Sequence, residues 1–307
     1  MKTRKESVHQ FWDRSNQLGL TNKNYKNFLG KFLHLLLEED LRNSDVTTSS
    51  LIKKNKRISA EFIAKEDGIF AGCEEFSFLN KELNAIFLKN DASPIRKGDD
   101  LIRIEGDAGK ILANERLSLN LLQRMSGIAT LTHNLGKKLG HGTRLAATRK
   151  TLWGSLDKKA VSVGGGLTHR LGLSDGILIK DNHLSILGLN IENAITMTKN
   201  KSKYVEIEVE NKNQALSAAK SIKKIIKSAG RGCLYAIMLD NIPSIEIKNI
   251  VDELKKRNFY GSVLLEASGK INQGNLPQYS DCGVDIASMG CLTHSAKVLD
   301  ISMDVVK

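Results

Sequence analysis

The chain has little of what marks several common classes of protein. Its 307 residues include only three prolines and four cysteines, and aromatic residues make up 5% of the total. The cysteines are scattered without CxxC spacing, so neither a zinc knuckle nor a disulfide framework is indicated. The scarcity of aromatic residues disfavours a surface on which nucleic-acid bases stack. We therefore expect reduced, structural thiols and no nucleic-acid partner.

Long hydrophobic segments are missing as well. No apolar run approaches the roughly 18 residues of a membrane-spanning helix. The basic N-terminal segment lacks the apolar core of a secretion signal. These absences lead us to expect a cytoplasmic protein without a membrane partner.

The signatures of several enzyme classes are also missing. No GxGxxG follows a first strand, and there is no HExxH or GxSxG, so a dinucleotide-binding fold, a zinc protease and a serine hydrolase all lack support. What the chain does have is a formal net charge of +12. A basic protein can bind nucleic acid, anionic lipid or small anionic substrates. Because the lysines are dispersed in helix-like segments, they form no binding stripe.

Hydrophobic periodicity divides the chain into two parts. Helical spacing over 7–41 is followed by short alternating segments, which predict an antiparallel sheet, and then by a helix over 114–139. Beyond it, six short apolar runs alternate with helix-like stretches and close on polar or charged residues. This pattern predicts a parallel sheet, and a β/α barrel is favoured over an open doubly wound sheet. We place an α+β domain at 1–126 and the barrel at 127–307, with a C-terminal tail that can pack back on the first domain.

Five cationic side chains surround three glycines at 164–166. They are Arg149, Lys150, His169, Arg170 and Lys180. Several follow strand-like runs, so they would converge at the rim of a barrel, and such a cluster suits a compact polyanion. The glycines are weak evidence alone, since they could form a simple turn. Because they are followed by His169 and Arg170, they are consistent with a backbone that leaves room for an anion to approach these cationic side chains.

Carboxylates at two strand ends are candidate magnesium ligands. Residues 206–210 place three glutamates on one strand face, an arrangement that requires a nearby cation. Mg²⁺ is usually held by one or two carboxylates together with substrate phosphates, and we select Glu208 and Asp240. Glu206 and Glu210 are more simply explained as solvated residues at a strand edge, or as acids that each take part in a structural salt bridge.

Taken in chain order, these segments resemble the quinolinate phosphoribosyltransferase family. The resemblance covers nearly the whole chain and rests on residues 45–48, 115–120, 122–130, 148–151, 164–170, 179–183, 206–210, 239–241, 266–269 and 290–294. It implies an N-terminal α/β sandwich followed by an open β/α barrel of seven strands, a fold like that of type II phosphoribosyltransferases. It also implies a homodimer or a higher dimer-based oligomer, in which the N-terminal domain completes the partner's active site.

The implied reaction transfers phosphoribose from phosphoribosyl pyrophosphate to the ring nitrogen of quinolinate, in the presence of Mg²⁺. Its products are nicotinate mononucleotide, pyrophosphate and carbon dioxide, a step of NAD biosynthesis. The resemblance predicts a quinolinate pocket lined by Arg149, His169, Arg170 and Lys180, with Arg116 entering from the partner subunit. Lys150 would contact quinolinate or the pyrophosphate.

The remaining predicted positions concern the second substrate. Glu208 and Asp240 would hold magnesium-bound phosphoribosyl pyrophosphate, and the phosphate would lie on Ser268, Gly269 and Gly290. The predicted catalytic residues are Lys150, Lys180, Glu208 and Asp240. Small residues at strand ends expose backbone N–H groups, which is how many proteins bind phosphate.

The chain departs from the family pattern at Ser162, at Lys270 and in the segment around Trp153, but every cation named above is kept. Two alternatives within the same fold stay open: a paralogue with an altered substrate, and a phosphoribosyl-pyrophosphate-binding protein without activity. The run at 180–183 counts against the molybdenum-transport-associated relatives, which tend to lack it.

Overall fold

A computed structural model defines the structure over residues 3–140, 142–188, 190–199, 201–230 and 232–306. Within these residues the α-helices are α1 (Arg4–Trp12), α2 (Lys23–Leu41), α3 (Val46–Leu51), α4 (Cys73–Leu79), α5 (Ala108–Gly136), α6 (Ser155–Val163), α7 (Asp181–Leu187), α8 (Ile191–Met197), α9 (Lys212–Ala229), α10 (Ser244–Lys256) and α11 (Cys291–His294). The strands are β1 (Arg57–Ala64), β2 (Gly68–Ile69), β3 (Asn84–Phe87), β4 (Pro94–Ile95), β5 (Asp100–Asp107), β6 (Arg144–Ala146), β7 (Ile177–Ile179), β8 (Tyr204–Val209), β9 (Leu234–Asp240), β10 (Leu264–Ser268), β11 (Ile286–Ser288) and β12 (Ile301–Val306). None of the described helices is both long enough and apolar enough to span a lipid bilayer.

The chain forms two compact units, and neither is continuous in sequence. The barrel unit contains the described residues of 3–14, 134–151 and 166–294, and the sandwich unit contains those of 15–133, 152–165 and 295–306. This division differs from the sequence-based boundary at 126/127, which falls inside α5. The difference arises because the first helix belongs to the barrel unit and the last strand to the sandwich unit. Each end of the chain is therefore part of the unit that a single sequence boundary would assign to the other end.

The sandwich unit is built on an antiparallel sheet with strand order β12-β1-β5-β3. Alternate residues of β1 are buried, and Phe62 packs with Phe76 of α4 in a core that also takes Leu122 from α5. The strand β12 pairs with β1 along its whole length, from Ser59 opposite Val306 to Ala64 opposite Ile301. The predicted antiparallel sheet of the N-terminal part is therefore confirmed, and the C-terminal tail supplies one of its strands.

The barrel unit contains a parallel sheet with strand order β6-β11-β10-β9-β8-β7. On the free side of β6, Leu167 forms a single parallel bridge with Ala146 and takes the place of a seventh strand. Among the described residues no ladder joins Leu167 to β7, so the sheet curls without closing. The predicted open β/α barrel is confirmed; its seventh strand escaped the sequence pattern because one bridging residue gives no periodicity.

Helix α1 fills the end of the barrel at which the strands begin. Phe11 and Trp12 lie in a buried cluster with Leu264, and the ring of Phe11 meets the edge of Tyr204 at the start of β8. Because aromatic side chains occupy this end, polar groups along the strands face the opposite end. The active sites of β/α barrels occur at that carboxyl end.

One local prediction needs correction. The helix predicted over 7–41 is two helices, because α1 ends at Trp12 and α2 starts only after Asn22, whose side chain accepts hydrogen bonds from two backbone N–H groups. Asp45 caps the N-terminus of α3 in a similar way, by accepting from the backbone N–H of Thr48. Asparagine and aspartate caps of this kind satisfy N–H groups that a helix leaves without partners.

The close contact of the C-terminal segment with α5 gives a test of packing in the sandwich unit. A Cβ added at Gly127 would lie 2.1 Å from the carbonyl oxygen of Lys297, and Leu299 donates its backbone N–H to the carbonyl of Gln123. We expect Gly127→Ala to lower the free energy of unfolding by about 3 kcal/mol, at the upper end of the range for overpacked sites. The matched control is Gly136→Ala in the same helix, where a Cβ meets nothing within 4 Å. Urea unfolding of both variants checks the prediction, and equal midpoints would contradict it.

Candidate active site

Ten of the eleven predicted site residues lie at the carboxyl ends of the barrel strands. Arg149 and Lys150 follow β6, Lys180 follows β7, and Glu208 lies near the end of β8. Asp240 and Ser268 end β9 and β10, which pair in parallel with these two residues opposite each other. Gly269 comes directly after β10, Gly290 after β11, and the pair at 169–170 after the bridging Leu167. The structure therefore brings these ten residues to one rim.

Arg116 is the exception. It lies on α5 in the sandwich unit, where its side chain is exposed.

The positive charges of Arg149 and Arg170 repel each other. Burial, and next the charge of Arg149, lower the pKa of Arg170 below its ordinary value. Arg170 donates from one guanidinium nitrogen to the carbonyl oxygen of Gly176 at 3.0 Å, which fixes the side chain across its own loop. Like charges held together in this way favour the binding of a ligand with more than one negative charge.

Lys180 and Glu208 form an ion pair, with 2.6 Å between Nζ and the nearer carboxylate oxygen. The lysine side chain is 44% exposed and the glutamate side chain 11%. The backbone N–H of Lys180 donates to Nδ1 of His183, so the turn from β7 into α7 holds the lysine at the rim. Two residues predicted to bind different substrates are thus paired with each other.

The ends of β9 and β10 approach very closely. A Cβ on Gly269 would lie 2.5 Å from the backbone nitrogen of Asn241, and the φ angle of Gly269 is +92°. Asn241 donates its backbone N–H to the carbonyl of Ser268 and its side-chain amide to Asp240. Only glycine fits at position 269, because any side chain would collide with backbone and strain the left-handed conformation.

A fixed loop carries the pair at 169–170. Asp175 accepts from Nε of Arg14 at 2.8 Å and from the backbone N–H of Leu171 at 2.9 Å. Arg14 in turn donates its backbone N–H to the hydroxyl of Thr168, and its guanidinium lies over the ring of Tyr204. Sequence reasoning gave Arg14 and Asp175 no role, because neither belongs to a motif and their contact spans 161 positions.

Beneath the rim, His169, Glu206 and Glu266 form a buried cluster. Nε2 of His169 lies 2.9 Å from an oxygen of Glu266 and 3.5 Å from one of Glu206. Burial and the neighbouring Glu266 raise the pKa of Glu206 well above its ordinary value. Burial has the largest single effect on Glu266 and raises its pKa, but the interactions with His169, Ser288 and Glu206 together bring the net pKa below the ordinary value. Of the two carboxyl groups, Glu206 is therefore the one that holds a proton more strongly.

The importance of Glu266 was missed from sequence, although it lies in one of the matching segments. Alternation along its strand points the side chain into the barrel, and that alternation was the available signal. At 164–166 the structure gives a packing reason for Gly164: a Cβ there would lie 2.4 Å from the carbonyl oxygen of Ala129. Gly165, with a φ of +90°, has open space around it.

Glu208 and Asp240 are the residues that could hold a divalent cation at the rim. Both offer carboxylate oxygens, the ligand type that Mg²⁺ takes together with water and substrate phosphate. The cluster of His169, Glu206 and Glu266 also has three potential ligand atoms within 4.8 Å of one another. It is buried, and a ring nitrogen of its histidine is already bonded to Glu266. The partly accessible rim carboxylates are therefore the better fit to Mg²⁺.

The exposure of Lys180 predicts that its ion pair with Glu208 contributes little to folding. In a double-mutant cycle of Lys180→Met and Glu208→Gln, we expect a coupling energy of about 1 kcal/mol or less, as for other exposed pairs. Urea unfolding of the four proteins gives this value. A coupling of several kcal/mol would show that the pair is structural.

Comparison with known proteins agrees with this geometry. The family model for the N-terminal domain of quinolinate phosphoribosyl transferase matches residues 45–126, and the model for its C-terminal domain matches 128–304. A probable nicotinate-nucleotide pyrophosphorylase (carboxylating) of Methanothermobacter thermautotrophicus is 38% identical over 280 residues, which cover 88% of this chain and 96% of that relative. A probable enzyme of the same name from Bacillus subtilis is 38% identical over 284 residues, covering 90% and 93%.

Solved structures give the same result. The nicotinate-nucleotide pyrophosphorylase of Ehrlichia chaffeensis superposes with a TM-score of 0.76 at 32% identity, covering 90% of this chain and 98% of that one. The enzyme from Francisella tularensis gives a TM-score of 0.78 at 28% identity, covering 91% and 96%. The two family models together span most of the chain, and this chain therefore belongs to the quinolinate phosphoribosyltransferase family.

Proposed function

We propose that this chain transfers phosphoribose from phosphoribosyl pyrophosphate to the ring nitrogen of quinolinate, with loss of carbon dioxide. The products are nicotinate mononucleotide and pyrophosphate, as in a step of NAD biosynthesis. Relatives named as nicotinate-nucleotide pyrophosphorylases support the proposal. The observation that carries it is the pair of guanidinium groups, Arg149 and Arg170, at the same rim as Lys180, since this arrangement suits a small dianion.

The chemistry needs binding and orientation more than proton transfer. The nucleophile is the lone pair of the pyridine nitrogen, which carries no proton at neutral pH, so no general base is required. Arg149, Arg170 and Lys180 would neutralise the two carboxylates and hold the nitrogen in line with the sugar carbon. Once ribosylated, the ring nitrogen is cationic and stabilises the electron pair left when the adjacent carboxylate departs.

The second substrate would lie along the ends of β8, β9 and β10. When bound, Mg²⁺ on Glu208 and Asp240 would neutralise negative charge on the pyrophosphate leaving group. Lys150 would contact quinolinate or this leaving group, and it completes the proposed catalytic set with Lys180, Glu208 and Asp240. Ser268, Gly269 and Gly290 would present small side chains and backbone N–H groups to the phosphate.

We further propose a cytoplasmic homodimer, or a higher oligomer built from dimers. Arg116, exposed on α5, would complete the quinolinate pocket of the partner subunit. A guanidinium group is suited to this role because it binds a carboxylate through two parallel hydrogen bonds.

Product analysis tests the function directly. We expect nicotinate mononucleotide and carbon dioxide when the protein is incubated with quinolinate, phosphoribosyl pyrophosphate and Mg²⁺, and loss of product when a chelator removes the metal. Nicotinate in place of quinolinate should give little product, since it leaves part of the cationic pocket unpaired. Preference for another acid would indicate a paralogue with an altered substrate. Binding of phosphoribosyl pyrophosphate without turnover would indicate a binding protein that has no activity.

Removal of the Arg170 guanidinium should weaken the reaction strongly. We expect Arg170→Ala to lower kcat/KM for quinolinate, with a loss of about 2–5 kcal/mol of transition-state stabilisation. This is the range found when one partner of a buried charge pair is removed and the other is left unpaired. Lys224→Ala is the matched control, since that lysine side chain is 79% exposed and its ion pair is with Glu192. Steady-state kinetics compares the two, and near-wild-type turnover of Arg170→Ala would refute the assignment.

Mixing two inactive variants tests the role of Arg116. If each site takes its Arg116 from the partner, Arg116→Ala and Lys180→Met together form heterodimers with one intact site. Random exchange of subunits should then restore roughly a quarter of wild-type activity, since half of the dimers carry one good site of two. Arg170→Ala mixed with Lys180→Met serves as the control, because both changes damage the same site. No recovery after verified subunit exchange would contradict the shared site.

A further inference from the structure

His169 differs from the other cations predicted for the quinolinate pocket, because the protein itself uses both of its ring nitrogens. Nε2 is hydrogen bonded to Glu266 at 2.9 Å, and Nδ1 accepts the backbone N–H of Arg170 at 2.8 Å. Only 6% of the residue is exposed. Neither nitrogen is left to donate a hydrogen bond to a substrate carboxylate.

These two contacts define the protonation of the ring. A nitrogen that accepts a hydrogen bond needs a free lone pair, and a charged imidazolium has none because both nitrogens carry hydrogen. Since Nδ1 accepts from Arg170, the ring proton lies on Nε2, which donates to Glu266. The geometry corresponds to a neutral imidazole in the Nε2–H tautomer.

The backbone at His169 shows what this arrangement holds in place. Its φ angle is +54°, in the left-handed region that few residues other than glycine and asparagine adopt readily. The bond from the next N–H to the histidine's own side chain stabilises that conformation. The chain then continues into Arg170, whose guanidinium is fixed on Gly176.

We propose that His169 is a neutral positioning residue that sets the backbone and hence the direction of Arg170, while Arg149, Arg170 and Lys180 supply the charge that binds the diacid. This rests on the proposed function for the identity of the diacid. The protonation state and the hydrogen bonds of His169 concern the free protein and are independent of it. Glu266 acts through His169, because its carboxylate accepts the hydrogen bond that fixes the tautomer of the imidazole.

A matched set of variants separates this role from that of a charged ligand. Asparagine at 169 can place an oxygen near the position of Nδ1 and tolerates a positive φ, whereas glutamine places its polar group near Nε2 and leaves the N–H of Arg170 without an acceptor. In Glu266→Gln the amide oxygen still accepts from a neutral histidine, but the negative charge that would stabilise an imidazolium is gone.

Quinolinate binding, measured by titration calorimetry, is the first readout. We expect the dissociation constant to rise less than about threefold in His169→Asn and in Glu266→Gln, and about tenfold or more in His169→Gln, the size expected for a lost hydrogen bond on Arg170. The same order should hold for KM, with thermal unfolding run on each variant. Equal losses in both His169 variants, together with a large loss in Glu266→Gln, would overturn the proposal in favour of a charged histidine.

Nitrogen NMR of the wild-type protein labelled at histidine is the second readout, and the protonation state is read from the wild-type protein itself. At neutral pH we expect the His169 signals, identified by their disappearance in His169→Asn, to show an unprotonated Nδ1 and a protonated Nε2, with and without quinolinate. Protonation of both nitrogens would overturn the proposal. If the wild-type protein neither binds nor converts quinolinate, the proposed function fails, while the NMR result still decides the state of His169.

Discussion

Repulsion between like charges is the constraint on which the rim of the barrel unit depends. The charge of Arg149 lowers the pKa of Arg170, which shows that the two guanidinium groups repel each other. Such an arrangement persists only where other parts of the structure hold it. Behind the rim, Glu266 offsets part of the positive charge, and Asp175 fixes the loop through Arg14. These acids therefore offset part of the repulsion within the cationic pocket.

The same principle explains the pairing of Lys180 with Glu208. A half-buried carboxylate without a partner would be costly, and the lysine supplies that partner. Each group is kept charged and oriented at the rim by the other. The rim thus holds opposite charges within one hydrogen bond of each other.

Sequence reasoning predicted those elements that show hydrophobic periodicity and those residues that end an apolar run. Strand ends such as Asp240 and Ser268 were found because an apolar run closes on a polar residue, and the parallel sheet followed from the alternation of runs and helices. Leu167 was missed because a single bridge has no period. The contact between Arg14 and Asp175 and the hydrogen bond between His169 and Glu266 were missed for another reason: both depend on distances across the fold, which residue type and spacing do not encode.

The order of the strands along the chain has a consequence for biosynthesis. The strand β12 lies at the edge of the sandwich sheet beside β1, yet it follows every barrel strand in the sequence. While a ribosome translates the barrel segment, β1 has therefore been made but lacks this neighbour. A nascent chain that pauses before residue 301 exposes an unpaired sheet edge, which is a site for association with other nascent chains. Chaperone capture at this late stage of translation would protect the sandwich unit until its last strand emerges.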